Sequence, residues 1–279
     1  PVDDKGRLID KAFSEKLAQL LTGKSAAILS ADTQHKKEPA PLPYNLLKLQ
    51  QDASRKFGYK PDETMAITQS LREKHNLITY NRSDCQYLSD EQFADVDNVL
   101  AAISDTFEVI SGACKKADPS FKGRVFNSSK VSAHHAIIPT ITSANWDSLS
   151  KKEQNIYKII ARSYIAQFYP LYEYDETKLT INVMADGQTY QFQATARIDT
   201  CLGWKKLYAN DKGNEETAVD DDTQDNDLRN LSSGTDGLCN KTVATEHETK
   251  PPSLYTMTSL LGDLTRVAKY VKNPKLADV

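Results

Sequence analysis

Tyr80 and Arg82 stand two residues apart in the run Leu77-Ile78-Thr79-Tyr80-Asn81-Arg82-Ser83-Asp84-Cys85. On extended backbone, side chains two apart leave the same face. A tyrosine hydroxyl has a pKa of about 10 and is a weak nucleophile until positive charge stabilises its anion. A guanidinium supplies that charge and also grips a phosphate through paired hydrogen bonds. Together the two side chains have the parts for phosphotyrosyl chemistry on a nucleic acid. An ordinary strand aromatic beside a surface charge has the same spacing, and spacing alone leaves both readings open.

Other chemistries find little support. The chain has no G-x-G-x-x-G, no Walker loop, no H-E-x-x-H and no G-x-S-x-G. Asp95 and Asp97 fall within a helical pattern and read as a solvated face. Asp220–Asp222 belong to the acidic run 211–227, which carries eight acids against one lysine and leaves +4 for the rest of a chain whose net charge is −3. No carboxylate cluster for a metal is expected. Lys115, Lys116, Lys122, Arg124 and Lys130 form a basic cluster with only Asp118 opposing, either a solvated loop or a set of phosphate contacts. Cys85, Cys114, Cys201 and Cys239 form no C-x-x-C pair and have no histidine at zinc-finger spacing, which argues against a disulfide scaffold or zinc site. No apolar run approaches the roughly 18 residues of a membrane span. The start at Pro1 and the stop at Val279 read as the ends of a fragment of a longer protein.

The elements that must position Tyr80 follow from periodicity. Residues 10–22 predict a short helix and Ala26–Ala31 a strand, followed by a proline-bearing linker over Lys36–Pro43. Asn45–Phe57 is helical, closed by Gly58, and a second helix runs from Asp62 to about Lys74. The pair resembles a helix-turn-helix in layout. Ser89-x-x-Gln92 opens one long helix with Phe93, Val96, Leu100, Ile103, Phe107 and Ile110 on a stripe, and Ser150-x-x-Glu153 opens another that ends before Pro170. The period then falls to two. Leu179, Ile181 and Val183 alternate, Ala185-Asp186-Gly187-Gln188 turns, and Tyr190 to Ile198 alternate again, a hairpin with one apolar face. Residues 211–227 predict a flexible loop, residues 238–248 more strand, and Leu260, Leu264, Val267 and Val271 a closing helix.

Against that layout, Ile78–Asp84 closely resembles the active-site motif of the type IA DNA topoisomerases, with Tyr80 at the catalytic tyrosine. Leu49-Gln50-Gln51-Asp52-Ala53-Ser54 resembles the family's L-Q-Q-x-A segment, and Thr64 to Leu71 the helix before the tyrosine. Ser132 to Thr140 is similar to its H-x-A-I-x-P-T motif. Ala166-Gln167-Phe168-Tyr169-Pro170 and Lys250-Pro251-Pro252 through Leu260-Leu261 also match. The doubled histidine, Ser83-Asp84-Cys85 and A-Q-F-Y-P look most like the bacterial topoisomerase III branch. Nearly the whole chain is covered.

The resemblance implies a multi-domain α and β fold: a helical domain carrying the active-site tyrosine, inserted in an antiparallel β arch domain. The parts would be residues 1–39 (arch), 40–172 (helical), 173–250 (arch, with loop 211–227) and 251–279 (the start of a truncated helical domain). It implies transient cleavage of single-stranded DNA through a 5′-phosphotyrosyl link, with strand passage. Tyr80, Arg82 and His134 would be catalytic, Ser83, Lys122, Arg124, Lys130 and Arg162 would contact DNA, and His135 would be structural. Mg2+ would be bound by the family's Toprim domain, which has no counterpart in this chain, and no ATP is expected. The implied setting is the cytoplasm, at the bacterial nucleoid, with the isolated chain inactive. Two positions depart from the pattern: Asn81 stands where many topoisomerase III sequences have proline, and Ser163 where a second arginine would follow Arg162. The rival reading is a non-catalytic helix-turn-helix DNA-binding module.

Overall fold

Asp186 and Gly187 both have positive φ, 49° and 75°, the geometry of a two-residue hairpin turn whose twist matches the strands it joins. In the computed structural model, which describes residues 3–4, 7–209, 223–224, 226–249, 251 and 254–264, this turn links two 14-residue strands. The described residues divide into two units. One comprises residues up to Glu38, Tyr172–Leu202 and the described residues between 223 and 251; the other comprises Pro39–Leu171, 203–209 and 254–264.

The first unit opens with helix α1 (Lys11–Leu21), capped by the Asp10 carboxylate accepting from the Phe13 N–H at 2.9 Å. Its sheet has strands β1 (Ser25–Glu38), β2 (Tyr172–Ala185), β3 (Gln188–Cys201), β4 (Thr223–Gln224) and β5 (Asp236–Leu238) in the order β4-β3-β2-β1-β5. All pairings are antiparallel except β3 with β4, which is parallel. Leu21 of α1 packs with Val183 and Ala185 of β2 in a small core.

The sheet unit departs from three expectations. The linker expected from Lys36 begins as strand, because β1 runs on to Glu38 and its last rungs are held by charge. Lys37 pairs with Glu173 at 2.9 Å, His35 with Asp175 at 2.8 Å and Glu173 at 3.1 Å, and Tyr174 donates to Glu38 at 3.0 Å. The hydrogen bonds to Asp175 and Glu173 push the His35 pKa up. The strand expected over 238–248 ends at Leu238. Of the apolar face expected on β3, Ala196 is buried while Phe192 remains 38% exposed. The acidic loop lies mostly outside the described residues, but its Thr223 and Gln224 form β4.

The second unit is helical. Helix α2 (Leu46–Phe57) is capped by Asn45 and closed by Gly58 at φ 71°. Helix α3 (Pro61–Glu73) follows after three residues, and Thr64, Ile67, Thr68 and Leu71 form its buried face. The long helix expected from Ser89 is instead a 3-10 turn (Glu91–Asp95), α4 (Val96–Thr106) and α5 (Glu108–Cys114). It breaks at Phe107, whose φ and ψ are −135° and 84° and whose ring stacks on Trp146 at 4.1 Å. Helix α6 (Lys151–Ile165) carries the full Ser150–Glu153 capping box and supplies Ile156, Tyr157, Ile160 and Tyr164 to the core. Helix α7 (Met257–Leu264) packs against α2; Val267 and Val271 of the expected closing helix lie outside the described residues.

The 3-10 turn Gly203–Leu207 belongs to this helical unit, although the sequence reading assigned it to the arch. Gly203 has φ 47°, and a Cβ there would meet the carbonyl oxygens of Leu171 at 2.2 Å and Pro170 at 2.3 Å. Neither backbone oxygen can yield as a flexible side chain would. Gly203→Ala is expected to destabilise the protein by roughly 3 kcal/mol through left-handed strain and overlap. Urea unfolding of the variant checks this, and an unchanged midpoint would refute it.

Candidate active site

Helix α3 ends by turning back on itself. Asn76 adopts φ 55°, and the Leu77 N–H donates to the Leu71 carbonyl at 2.9 Å. The chain then lies along residues 136–140. Thr79 N–H donates to Ile138 O at 2.9 Å, Thr140 N–H donates to Leu77 O at 3.0 Å, and the Thr79 hydroxyl donates to Ala136 O at 3.1 Å. Leu77 and Ile78 are buried beneath this ladder. Two segments far apart in sequence are thereby fixed together, and their ends place Tyr80 beside His134.

The ring centroids of Tyr80 and His134 are 4.1 Å apart with 36° between planes. Tyr80 is half-buried and His134 exposed. On α3, the Arg72 guanidinium carbon lies 4.7 Å from the Tyr80 ring centroid. Arg72 is a residue that sequence reasoning missed. It sits in the last helical turn, and only the left-handed Asn76 returns the chain close enough for the contact.

The run is not extended past the tyrosine. Asn81 and Arg82 form a turn, so the alternation that would send Tyr80 and Arg82 to one face does not apply. The turn is held by Asn81, whose buried amide donates to Thr68 Oγ1 at 3.1 Å. Asn81 thus ties the turn to α3. Arg82 is exposed in this turn.

The expected DNA contacts fare unevenly. Ser83 is buried, and its hydroxyl oxygen accepts from Cys85 N–H at 3.1 Å. Lys122 pairs with Asp90 at 2.6 Å, an acid 32 positions away that the reading of the basic cluster did not count. The hydrogen bonds from Lys122 and Ser128 hold the Asp90 carboxyl well below the usual carboxylate range. The pairing follows from Leu88 bridging Phe126, which brings the start of the 89–95 segment onto the loop. Arg124 donates to Ala40 O at 3.0 Å. Lys130 donates to the Tyr87 hydroxyl at 3.2 Å and lies 4.7 Å over its ring. Tyr87 and Lys130 line a surface cleft of about 310 Å³ with Asp84, Cys85, Gln86 and Ser132. Arg162 is only 7% exposed and lies 4.5 Å over the Tyr208 ring, so it is a core cation rather than a surface contact. His135 donates through Nδ1 to Ala136 O at 2.9 Å.

Burial separates the tyrosines of this unit. It pushes the phenols of Tyr44, Tyr157 and Tyr164 up, and these rings lie in the core. Tyr80, by contrast, is half-buried and has both an imidazole and a guanidinium against its ring. Among the described residues no three His, Cys, Asp or Glu side chains could jointly hold a metal ion. No described helix is long and apolar enough to cross a membrane.

The DNA topoisomerase family profile matches residues 2–268. DNA topoisomerase 3 of Haemophilus influenzae is 37% identical over 279 residues, 99% of this chain and 41% of the relative. DNA topoisomerase 3 of Vibrio cholerae is 35% identical over 277 residues, again 99% of this chain and 41% of the relative. The chain thus spans about two fifths of the length of these relatives. Full-length topoisomerase I from Thermotoga maritima has the same fold, with a TM-score of 0.63 at 22% identity over 95% of this chain and 41% of that one. The motif around Tyr80 and a match along nearly the whole sequence agree: the chain belongs to the type IA DNA topoisomerase family and is similar to its bacterial DNA topoisomerase 3 members.

Proposed function

We propose that this chain serves within a full-length topoisomerase III-like enzyme, where Tyr80 cleaves single-stranded DNA and the enzyme passes a strand through the break. The observation that carries this reading is the half-buried Tyr80 phenol flanked by His134 and Arg72. In the step, the Tyr80 oxygen forms a bond to phosphorus and the bond from phosphorus to the 3′ oxygen breaks. The phenolic proton leaves to solvent, and the departing oxygen takes one up as a free 3′-hydroxyl. The product is a 5′-phosphotyrosyl link, and religation reverses it without ATP. Arg82, exposed in its turn, engages phosphate, and His134 orients the DNA beside the tyrosine. Lys130 and Arg124 add backbone contacts at the rim. Magnesium is assigned to a segment outside this chain, and no step here passes through it.

The test is to trap the adduct of the full-length enzyme with single-stranded DNA under denaturing conditions and locate the modified peptide by mass spectrometry. The adduct is expected at Tyr80, and residues 1–279 alone are expected to relax no supercoiled DNA. An adduct on another tyrosine overturns the assignment. A helix-turn-helix binding module would form none at all.

A further inference from the structure

We infer that Arg72 is a positioning residue for Tyr80, holding the ring and stabilising its anion as the phosphodiester is attacked. The inference rests on the proposal that Tyr80 is the nucleophile. The guanidinium carbon of Arg72 lies 4.7 Å from the Tyr80 ring centroid, within the range in which a cation is attracted to an aromatic face. That attraction grows when the ring carries the negative charge of a phenolate, so the contact is stronger for the attacking form than for the resting phenol. Among the described residues Arg72 makes no ion pair with a carboxylate. Its charge is therefore not already cancelled, in contrast to that of Lys122.

The support behind Arg72 is firm on both sides. Asn76 N–H donates to Arg72 O at 3.1 Å within the turn that reverses the chain. Ser70 and His75, on either side of it in sequence, both reach the buried carboxylate of Glu153, at 2.6 and 3.3 Å. Arg72 is thus presented from a fixed helix end, whereas Arg82 sits in an exposed turn. The two arginines divide the work: Arg72 acts on the nucleophile through its ring, and Arg82 on the phosphate.

Single-turnover cleavage of single-stranded DNA by the full-length enzyme tests this, with DNA affinity measured alongside. Arg72→Gln is expected to slow cleavage at saturating DNA by roughly 10-fold, with affinity changed by less than about 3-fold. Arg72→Lys should recover most of the rate because it keeps a cation. Millimolar guanidinium ion should partly rescue Arg72→Ala, which a merely structural loss would not permit. An unchanged rate in Arg72→Gln overturns the inference. So does a loss confined to affinity, which would make Arg72 a DNA contact. A loss, including misfolding, that neither lysine nor guanidinium relieves would make it structural and overturn the inference too. If the wild-type enzyme forms no adduct at Tyr80, the underlying reading fails; if it does and Arg72→Gln matches it, only the role of Arg72 fails.

Discussion

Tyr80→Phe is expected to abolish the covalent protein–DNA complex while leaving the fold and DNA binding intact. The bond to phosphorus is made by the phenolic oxygen, and phenylalanine has no atom in its place. A drop of at least ~10⁴-fold in adduct formation is the scale seen when a nucleophile is deleted. The structural cost is small. The contacts that seat Tyr80 are made by its ring, with His134 at 4.1 Å and Arg72 at 4.7 Å, and phenylalanine keeps both. A hydroxyl hydrogen bond to solvent is all that is surrendered, less than about 1 kcal/mol. Arg82→Ala should behave differently. The nucleophile remains, but charge stabilisation of the phosphate is lost, which slows cleavage by roughly 10²-fold. Arg82→Lys should lie between, since a point charge replaces a planar fork. Denaturing gels of trapped complexes, with thermal melts as the folding control, read all three. Adduct formation by Tyr80→Phe would end the assignment of Tyr80. Wild-type cleavage by Arg82→Ala would end only the role given to Arg82.

What the sequence made legible was set by local rules. Asn45 and Gly58 bracket α2, and Ser150 with Glu153 opens α6, because capping is decided within four residues. The Asp186-Gly187 turn was legible because positive φ at two successive positions favours such residues. What stayed hidden was decided by partners distant in the chain. The break at Phe107 depends on Trp146, 39 residues on, and a helical stripe that runs straight through it gives no sign. The end of β1, Lys36–Glu38, reads as part of a proline-bearing linker until Glu173 and Asp175 of β2 are set opposite the strand. Lys122 looked available for phosphate until the fold delivered Asp90. The site shows the same division. Tyr80, Arg82 and His134 were singled out by their motifs, and the structure brings the rings of Tyr80 and His134 together. Arg72 carries no short-range signature, because its contact with Tyr80 is made only once the chain reverses at Asn76. The same-face expectation for Tyr80 and Arg82 failed because Asn81 pins a turn between them.

Glu153→Gln is expected to remove roughly 3 kcal/mol of stability at neutral pH, and that deficit should vanish in acid. Glu153 is 7% exposed. Burial alone would raise its pKa. Hydrogen bonds from the Ser70 and Ser150 side chains and from the Ser150 N–H, with the nearby His75, overcome burial and bring it to about 2 from 4.5. A carboxyl depressed in the folded state stabilises that state fully above its unfolded pKa, and the contribution is lost as pH falls through the folded value. A gap of about 2.5 units corresponds to roughly 3 kcal/mol, present above about pH 5 and gone by about pH 2. Glutamine has one acceptor oxygen where the carboxylate has two. It cannot serve Ser70 at 2.6 Å and the Ser150 N–H at 2.7 Å from the same two positions, so a buried donor is left facing an amide NH2. Urea unfolding of both proteins across pH 7 to 2.5 should therefore show curves that converge in acid. A difference that stays constant over that range would mean that the carboxylate's charge is not what Ser70 and His75 are gathered around. The consequence reaches the site, because those two residues belong to the helix end that holds Arg72 against Tyr80. Glu153→Gln should loosen that end first, so cleavage by the full-length enzyme should fall at pH values where the fold still stands.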